Sequence, residues 1–263
     1  MSLDVPAAAA TLLRAYRTGE PVEPLVNLFE GLDIDGAYAI QLAQVERWLG
    51  DGAVVKGHKV GLTSAVMQRQ LGVDQPDFGH LTDRMFYDES QVVDISAFLQ
   101  PRVEPEIGFI LGKPLAGPGV TIEDVADAVE SVVPALEIID SRVRDWRISI
   151  VDTIADNASS GGVVLGTARV KLSDVDVVAT TGVLKVNDET AGTGKGSAVL
   201  GNPLSAVAWL ANVLGERGVT LEAGHVVLPG SVTAAVPVSE GDVVTATFDG
   251  LGTVTARFGK VSG

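Results

Sequence analysis

Two glutamates separated by a single residue are the most chemically suggestive feature of this sequence. They lie in the stretch Arg102–Ile110, where apolar residues such as Val103 and Ile107 recur at period 2, so the pattern predicts a β-strand. Alternation places Glu104 and Glu106 on the same face of this strand, with Cα atoms roughly 7 Å apart. Two ionised carboxylates at this spacing repel each other, and a hard divalent cation between them would relieve the repulsion.

A third carboxylate, Glu137, lies in another apolar run, Val132–Ile139. Paired glutamates on a strand are most often a solvated outer face, and that alternative stays open at this point. Two features favour a site. The run around Glu137 is too apolar for a surface strand, and Pro105 cannot donate a hydrogen bond to a sheet. A proline at this position is typical of an edge strand or of an irregular strand that lines a site.

The composition narrows the classes of function. The chain has 263 residues, 46% of them hydrophobic, no cysteine and a formal net charge of −15. The negative charge argues against nucleic acid or an anionic membrane as a partner, although it does not exclude an anionic small molecule. The absence of cysteine excludes thiol catalysis and disulfides. No signal-peptide pattern and no long apolar run is present, so we expect a soluble, cytoplasmic protein.

The pattern of helices and strands predicts one catalytic domain over residues 1–263. Helices are predicted from Val5 to Tyr16 and from Asp35 to Leu49, with an aspartate as the cap of the second helix. These helices form a small N-terminal layer, residues 1–52, without evident chemistry. Residues 53–263 form the core, since no linker, repeat or low-complexity segment divides them.

The segment after the N-terminal layer is the first candidate for a site lining. A strand is predicted from Val54 to Val60 and a short helix from Ala65 to Leu71. The turn-rich stretch Gly72–Gly79 looks too polar to be core, and such loops often line sites. The simplest interpretation of Lys59 is an exposed lysine, and that of Asp77 is a turn or capping residue.

Further elements are predicted toward the C-terminus. A helix is expected from Thr121 to Val132, where Thr121 and Asp124 have capping-box spacing. The small residues of Val151–Gly162 suit either a turn close to a ligand or a plain loop. A buried helix is predicted from Asn202, its cap, to Leu214. Asp249-Gly250 predicts a hairpin.

Other motifs do not identify a site. Gly192–Ser197 fails both the phosphate-loop and the dinucleotide patterns, and it is interpreted as a flexible loop near a hairpin. No nucleophile elbow of the G-x-S-x-G type is present. His58, His80 and His225 lack metal-ligand spacing. His58 and His80 flank the candidate site, but an isolated histidine is more often structural.

Long ordered stretches of the chain resemble the 2-hydroxypenta-2,4-dienoate hydratases (2-oxopent-4-enoate hydratases). These enzymes belong to the fumarylacetoacetase-like superfamily, together with the 4-oxalocrotonate decarboxylases. The similar stretches are 57–63 (GHKVGLT), 71–79 (LGVDQPDFG), 100–107 (QPRVEPEI), 134–142 (PALEIIDSR), 145–146 (DW), 151–160 (VDTIADNASS) and 201–212 (GNPLSAVAWLAN). His58 departs from the residue usual in the family, as does Pro105. The resemblance implies an α+β fold, a mixed β-roll of curved sheets with helices packed outside.

The resemblance also assigns roles to particular residues. It implies that Glu104, Glu106 and Glu137 hold one Mg²⁺ or Mn²⁺. The residues matching other family positions are Lys59 and Asp77, placed in the active site, and Leu62, Thr63 and Ser160, expected to contact the substrate carboxylate. The implied partners are a small 2-hydroxydienoate or 2-oxo acid and further copies of the chain, in a pentamer or decamer. An association with a neighbouring pathway enzyme is also open.

The implied reaction is the hydration of 2-hydroxypenta-2,4-dienoate to 4-hydroxy-2-oxopentanoate in the meta-cleavage degradation of aromatic compounds. Lys59 would stabilise the negative charge that grows on the substrate, and Lys59 and Asp77 are the candidates for proton transfer. Two alternatives remain open. One is decarboxylation of 2-oxo-3-hexenedioate, and the other is a catalytically silent subunit of a hydratase–decarboxylase complex. The sequence does not choose between a five-carbon and a six-carbon dienoate.

Overall fold

The structure is a computed structural model, and it describes residues 3–64, 68–69 and 72–261. The predicted short helix Ala65–Leu71 falls mostly outside these ranges. Among the described residues, no helix has the length and apolar character needed to cross a lipid bilayer.

The α-helices of the described residues include three that begin and end within two residues of the predicted bounds, namely the first, the third and the last. The helices are α1 (Val5–Thr18), α2 (Leu25–Leu28), α3 (Ile34–Gly50), α4 (Ile122–Ala128), α5 (Ile150–Ala155) and α6 (Pro203–Gly215). Asp33 caps α3 by accepting from the backbone N–H of Gly36. Asn202 caps α6 with Pro203 at its first position, as predicted, and most of that helix is buried.

The strands form two sheets. Their bounds are β1 (Val55–Gly61), β2 (Asp77–Thr82), β3 (Phe86–Tyr87), β4 (Val92–Asp94), β5 (Arg102–Leu111), β6 (Val129–Ile139), β7 (Ser160–Leu165), β8 (Thr181–Val186), β9 (Glu189–Lys195), β10 (Val226–Leu228), β11 (Val236–Pro237), β12 (Val243–Phe248) and β13 (Gly252–Gly259). The larger sheet has the order β2-β1-β10-β5-β6-β7-β3, and the smaller sheet has the order β4-β13-β12-β8-β9. Parallel and antiparallel pairs occur in both.

This arrangement confirms the α+β prediction of curled mixed sheets with helices outside and a small helical part at the N-terminus. A single hydrophobic cluster joins both sheets to α1, α3 and α6. The predicted hairpin at Asp249-Gly250 is confirmed, since it connects β12 to β13. The division into residues 1–52 and 53–263 within one domain stays a prediction.

Strand pairing on one side of β5 is interrupted at Pro105. On one side β5 pairs continuously with β6, but on the other side β10 reaches only Ile110 and Phe109 and β11 reaches only Val103 and Arg102. The proline, which lacks an N–H, falls between these two short partners. The strand is therefore interior to the sheet, so the alternative of an edge strand was wrong. The alternative of an irregular strand agrees with its interrupted pairing.

Three predictions of local structure were wrong. The helix predicted from Thr121 ends at Ala128 after a capping box of Thr121 and Asp124, and the apolar residues that follow belong to β6. The end of the stretch 72–79 is buried in β2. The glycine-rich stretch 192–197 is largely strand β9. Its glycines permit close backbone approach, since a Cβ at Gly194 would collide with the carbonyl oxygen of Val232.

Helix α3 contributes polar contacts to the core below the site. The side-chain amide of Gln41, which is fully buried, donates to the carbonyl of Phe78 at 2.9 Å and to that of Ile154 at 2.8 Å. Its oxygen lies 3.0 Å from Nδ1 of His80. The N-terminal helices therefore anchor β2 and α5, the two elements that flank the candidate site.

Replacing Gln41 should test this anchoring. Gln41→Leu keeps the volume but leaves two buried carbonyl groups without their donor, so we expect a loss of about 1–3 kcal/mol in the free energy of unfolding. Chemical denaturation monitored by circular dichroism measures it. Glu46→Ala, an exposed change on the same helix, is the control, and equal stabilities of the two variants would contradict the role of Gln41.

Candidate functional site

A cavity of about 720 Å³ opens beside the β5–β6 pair. Its walls come from the end of β1, the start of β2, the start of β5, the turn before β7 and the segment 230–235. Its lining includes Lys59, Leu62, Thr63, Asp77, Arg102, Glu104, Ile139, Trp146, Thr153, Ala158, Ser159 and Thr233. Most residues predicted from the sequence to form the site therefore meet at this cavity.

The three glutamates come together because of the register of two strands. Glu104 pairs directly with Glu137 across β5 and β6, while Glu106 lies two residues further along β5. One carboxylate oxygen from each of the three residues lies within 4.8 Å of the others. Glu106 and Glu137 are buried and Glu104 is partly exposed, so the interpretation of a solvated outer face was wrong.

The hydrogen bonds around these carboxylates are incomplete. Oε2 of Glu106 accepts from the backbone N–H of Gly230 at 2.8 Å. Oε1 of Glu106 and Oε2 of Glu137 are buried and find no hydrogen-bond partner in the described part of the chain. Buried polar atoms are rarely left in this state unless an ion or water satisfies them. Three converging carboxylates with free oxygens fit a divalent cation with oxygen ligands.

Burial and mutual repulsion disfavour the charged forms of these groups. Burial, followed by the charge of Glu137, raises the pKa of Glu104 to about 7 and raises the pKa of Glu106 well above its usual value. A divalent cation would reverse this effect by favouring the ionised carboxylates. The electrostatics thus lead to the same ligand set as the geometry.

Lys59 is the buried cation next to the glutamates. Its Nζ lies 3.3 Å from Oε1 of Glu137 and donates to the carbonyl of Ala158 at 2.9 Å. Burial opposes its charged form, but the carboxylates of Glu137 and Asp77 and the other two glutamates outweigh burial and raise its pKa. Lys59 is therefore a charged group inside the cavity, and the interpretation of an exposed lysine was wrong.

Asp77 is also inside the cavity and not at a turn. It is the first residue of β2, it is 2% exposed, and it pairs with Gly61 of β1. Glycine at position 61 leaves room for Asp77 in this position, because a Cβ would collide with its Oδ1. Burial raises the pKa of Asp77, and the charge of Lys59 opposes the rise. Within the described ranges Oδ1 has no hydrogen-bond partner.

A strained turn presents backbone and hydroxyl groups to the cavity. Asn157, Ala158 and Ser159 have φ values of 52°, 51° and 54°, a left-handed conformation that costs about 1–3 kcal/mol per residue. The buried Arg142 supports this turn, since its guanidinium donates to Oδ1 of Asp156 at 2.6 Å and to the carbonyl of Ser160 at 3.0 Å. The sequence left open a turn close to a ligand or a plain loop over 151–162. Residues 151–155 belong to helix α5, and the turn that follows lines the cavity through Ala158 and Ser159.

The residues predicted to contact the substrate carboxylate do not all lie on the cavity wall. Leu62, with φ of 56°, and Thr63 line the cavity. Ser160 is fully buried outside the lining, and its hydroxyl donates to the carbonyl of Asn157 at 2.7 Å. The neighbouring Ser159 lies on the cavity wall instead.

Arg102 and Trp146 are lining residues that the sequence reasoning did not single out as site residues. The guanidinium of Arg102 lies 4.6 Å from the ring centroid of Trp146, and the indole N–H donates to the carbonyl of Gln100 at 3.1 Å. Alternation along β5 places Arg102 on the face of Glu104 and Glu106, so the same period-2 argument could have found it. Trp146 lies in the family-like pair 145–146, which gave no indication of its role in the cavity.

The three histidines lie away from the cavity lining. His58 and His80 are buried with ring centroids 4.8 Å apart, and His225 lies 6.0 Å from His58. Both ring nitrogens of His58 lack a hydrogen-bond partner among the residues described. Burial lowers the pKa of His80 to about 4 and lowers that of His58 well below its usual value. Both rings are therefore neutral at pH 7.

The burial of His58 and His80 predicts that the stability of the fold depends on pH. The unfolded chain takes up protons on His58 and His80 near pH 6.5 and the folded chain does not, so stability is complete above that pH and falls as the pH drops toward 4. His58→Leu removes one of these groups. We expect its stability relative to wild type to improve by up to about 1.4 kcal/mol per pH unit below 6.5.

Urea unfolding at a series of pH values from 7.5 to 4.5 measures this effect. The control is His225→Gln, because His225 is half-exposed and should change the profile less. Parallel profiles for wild type and His58→Leu would contradict the prediction.

Comparisons with known proteins identify the family of this chain. Residues 55–259 match the family model described as fumarylacetoacetate (FAA) hydrolase C-terminal. The chain is 44% identical to a 2-keto-4-pentenoate hydratase from Paraburkholderia xenovorans (strain LB400), over 95% of this chain and 93% of the relative. It is 43% identical to a 2-hydroxyhexa-2,4-dienoate hydratase from Comamonas testosteroni, over 94% of each.

A solved structure is also very similar. The 4-oxalocrotonate decarboxylase from Pseudomonas putida G7, complexed with magnesium and adipate, superimposes with a TM-score of 0.93 and 38% sequence identity. The match covers 97% of each chain. The predicted fold and family are therefore confirmed.

Proposed function

This chain belongs to the fumarylacetoacetate (FAA) hydrolase C-terminal family, and we propose that it is a metal-dependent hydro-lyase. The reaction is the addition of water to 2-hydroxypenta-2,4-dienoate, giving 4-hydroxy-2-oxopentanoate, in the meta-cleavage degradation of aromatic compounds. The observation that carries the proposal is the cluster of Glu104, Glu106 and Glu137 with free carboxylate oxygens beside the buried Lys59. Hydratases more than 40% identical over nearly the whole chain support it.

The metal is a divalent cation, Mg²⁺ or Mn²⁺, held by the three glutamates. Magnesium in the similar decarboxylase supports a hard cation, and carboxylate ligands suit both ions. When bound, the ion supplies a Lewis acid that polarises the carboxylate and the 2-oxygen of the substrate. The fixed register of β5 and β6 holds the ligands in place, so little reorganisation is needed on binding.

Lys59 and Asp77 are the proposed catalytic residues. The 2-hydroxyl of the dienol loses its proton while C5 gains one, which gives the conjugated 2-oxo-3-enoate. Water then adds at C4 as C3 gains a proton and the attacking water loses one. Asp77, whose pKa is raised by burial, accepts the proton of the attacking water. Lys59 remains charged and donates a hydrogen bond where negative charge grows on the 2-oxygen. Thr63 and Ser159 offer hydroxyl groups to the substrate carboxylate, while the assignment of Ser160 stays a prediction.

Decarboxylation of 2-oxo-3-hexenedioate is the second candidate. The observation that favours it is the 38% identity to a 4-oxalocrotonate decarboxylase over 97% of the chain. Both reactions build up negative charge on a 2-oxo acid, so the same glutamates, which would hold the cation, and Lys59 would serve either. A catalytically silent subunit fits less well, because the complete ligand set and the buried lysine are both present.

We expect a homo-oligomer, a pentamer or decamer, in the cytoplasm, and an association with a neighbouring enzyme of the pathway is consistent with the proposed reaction. Sedimentation of the purified chain measures the first of these expectations.

The activity can be tested directly with freshly generated 2-hydroxypenta-2,4-dienoate. We expect loss of the dienol absorbance and formation of 4-hydroxy-2-oxopentanoate, identified by NMR, in the presence of Mg²⁺ or Mn²⁺. EDTA should abolish turnover, and added metal should restore it, because the carboxylates alone repel the anionic substrate. Carbon dioxide release from 2-oxo-3-hexenedioate, without hydration of the dienoate, would select the decarboxylase.

The metal ligands can be tested by an isosteric change. Glu106→Gln removes one ligand charge, so we expect at least about 100-fold weaker Mn²⁺ binding and a similar loss of turnover. Electron paramagnetic resonance of free Mn²⁺ measures binding independently of activity. Glu130→Gln is the matched control, since Glu130 is exposed on β6 outside the cavity lining. Wild-type Mn²⁺ affinity in Glu106→Gln would remove this residue from the ligand set.

A further inference from the structure

Thr153 carries a hydroxyl group of the cavity to which the proposed hydration assigns no role. Of the six residues of helix α5, all of which the structure describes, Thr153 alone lines the cavity. The residue is only 6% exposed. Polar groups at this depth are normally hydrogen-bonded, so the partners of this hydroxyl indicate what the residue does.

The hydroxyl of Thr153 does not follow the usual pattern of a helical threonine. In α1, the hydroxyls of Thr11 and Thr18 donate to the carbonyl groups four residues earlier, at 2.9 and 3.0 Å. The hydroxyl of Thr153 instead lies 3.2 Å from that of Ser159, on the turn before β7. It also interacts with the side chain of Asp77, and this interaction lowers the pKa of that carboxyl group. Thr153 therefore connects two cavity groups that belong to different elements.

The donor and acceptor roles in this group follow from the chemistry of its members. An ionised carboxylate only accepts hydrogen bonds, so the single hydroxyl proton of Thr153 goes to Asp77. The oxygen of Thr153 is then left to accept from Ser159. The proton of Ser159 can turn from Thr153 to a bound substrate carboxylate without any change in the bond to Asp77. Thr153 can therefore hold Asp77 both before and after a substrate binds.

The backbone that carries Thr153 is itself fixed by the N-terminal helices. A helix of six residues is not stable by itself in water, so α5 depends on its neighbours. The buried amides of Gln41 and Gln44 donate to carbonyl groups of α5 at 2.8 and 2.7 Å. From the other side, Asp152 accepts from the backbone N–H of Leu25 at 2.6 Å. Since χ1 of the β-branched Thr153 is also restricted, its hydroxyl is presented at a defined place.

We propose that Thr153 is a positioning residue, whose hydroxyl holds the carboxylate of Asp77 in place as the base that takes the proton of the attacking water. The inference rests on the proposed function, in which Asp77 has that role. Burial favours the neutral form of Asp77, whereas a base has to be ionised to accept a proton. A hydroxyl that donates to the carboxylate opposes the effect of burial and also fixes the orientation of the group.

A nearly isosteric change tests the hydroxyl. Thr153→Val removes the donor, so we expect kcat of the Mg²⁺-loaded protein for 2-hydroxypenta-2,4-dienoate to fall about 10-fold, with KM changed less than about twofold. The acid limb of kcat/KM against pH should move to higher pH, because Asp77 loses a group that lowers its pKa. Thr153→Ser restores the hydroxyl and should recover most of kcat and of the pH profile.

Thr180→Val is the matched control. Thr180 is likewise 6% exposed, and its hydroxyl donates to the carbonyl of Asp249 at 2.6 Å, away from the cavity lining. We expect this variant to lose thermal stability but to keep the kinetic constants and the pH profile of the wild type. If Thr153→Val fails to fold, as judged by thermal unfolding, Thr153→Ala and Thr153→Ser decide, since these two variants differ only in the hydroxyl.

Three kinetic results would overturn the proposal. Unchanged kcat and an unchanged pH profile in Thr153→Val would show that the hydroxyl does not position the base. A higher KM at constant kcat would place Thr153 in the binding of the substrate ground state. Equal losses in Thr153→Val and Thr153→Ser would assign the effect to packing.

A direct titration of Asp77 separates this inference from the proposed hydration. NMR of the Mg²⁺-loaded protein, labelled with ¹³C at the aspartate carboxyl groups, measures the pKa, and Asp77→Asn assigns the signal. A wild type that does not turn over the dienoate refutes the hydration, and the titration then decides on Thr153. A higher pKa of Asp77 in Thr153→Val than in the wild type supports the hold on the carboxylate, and equal values overturn it.

Discussion

The repulsion among three carboxylates held within 4.8 Å of one another is the constraint on which the rest of this structure depends. Antiparallel pairing of β5 and β6 fixes Glu104 opposite Glu137, so their backbones cannot separate without breaking the sheet. Burial strengthens the repulsion and raises the pKa of Glu104 and Glu106. The fold therefore holds three mutually repelling carboxylates together. A divalent cation bound between them would replace this repulsion by attraction.

Much of the surrounding structure keeps this site rigid. Lys59 balances part of the charge, and its bond to the carbonyl of Ala158 ties β1 to the left-handed turn before β7. Arg142 donates to the carbonyl of Ser160 at the end of that turn, and Gln41 of helix α3 donates to carbonyl groups of β2 and α5. The N-terminal helices, which carry no catalytic group, thus take part in positioning the site. Buried polar networks of this kind stabilise a unique arrangement only when nearly every member is satisfied.

Local sequence rules predicted the elements whose structure depends on near neighbours. The period-2 pattern of β5 predicted that Glu104 and Glu106 share a face, and capping residues predicted the starts of α3 and α6. The same rules failed where distant contacts prevail. Residues 129–132 continue a helical pattern, yet they enter β6, where pairing with β5 buries Ser131 and Val132. The glycines of β9 indicate close backbone approach, and the sequence alone could not distinguish this from flexibility.

By itself the sequence determined the family, the fold class and the identity of the three acidic residues, because long similar stretches and strand periodicity are properties of the chain alone. Only the tertiary structure decided that Glu137 pairs with Glu104, that Lys59 is buried, and that Arg102 faces the same cavity. The physical reason is that register and burial arise from contacts between residues far apart in sequence. Such contacts set the distances and local polarity on which charge chemistry depends.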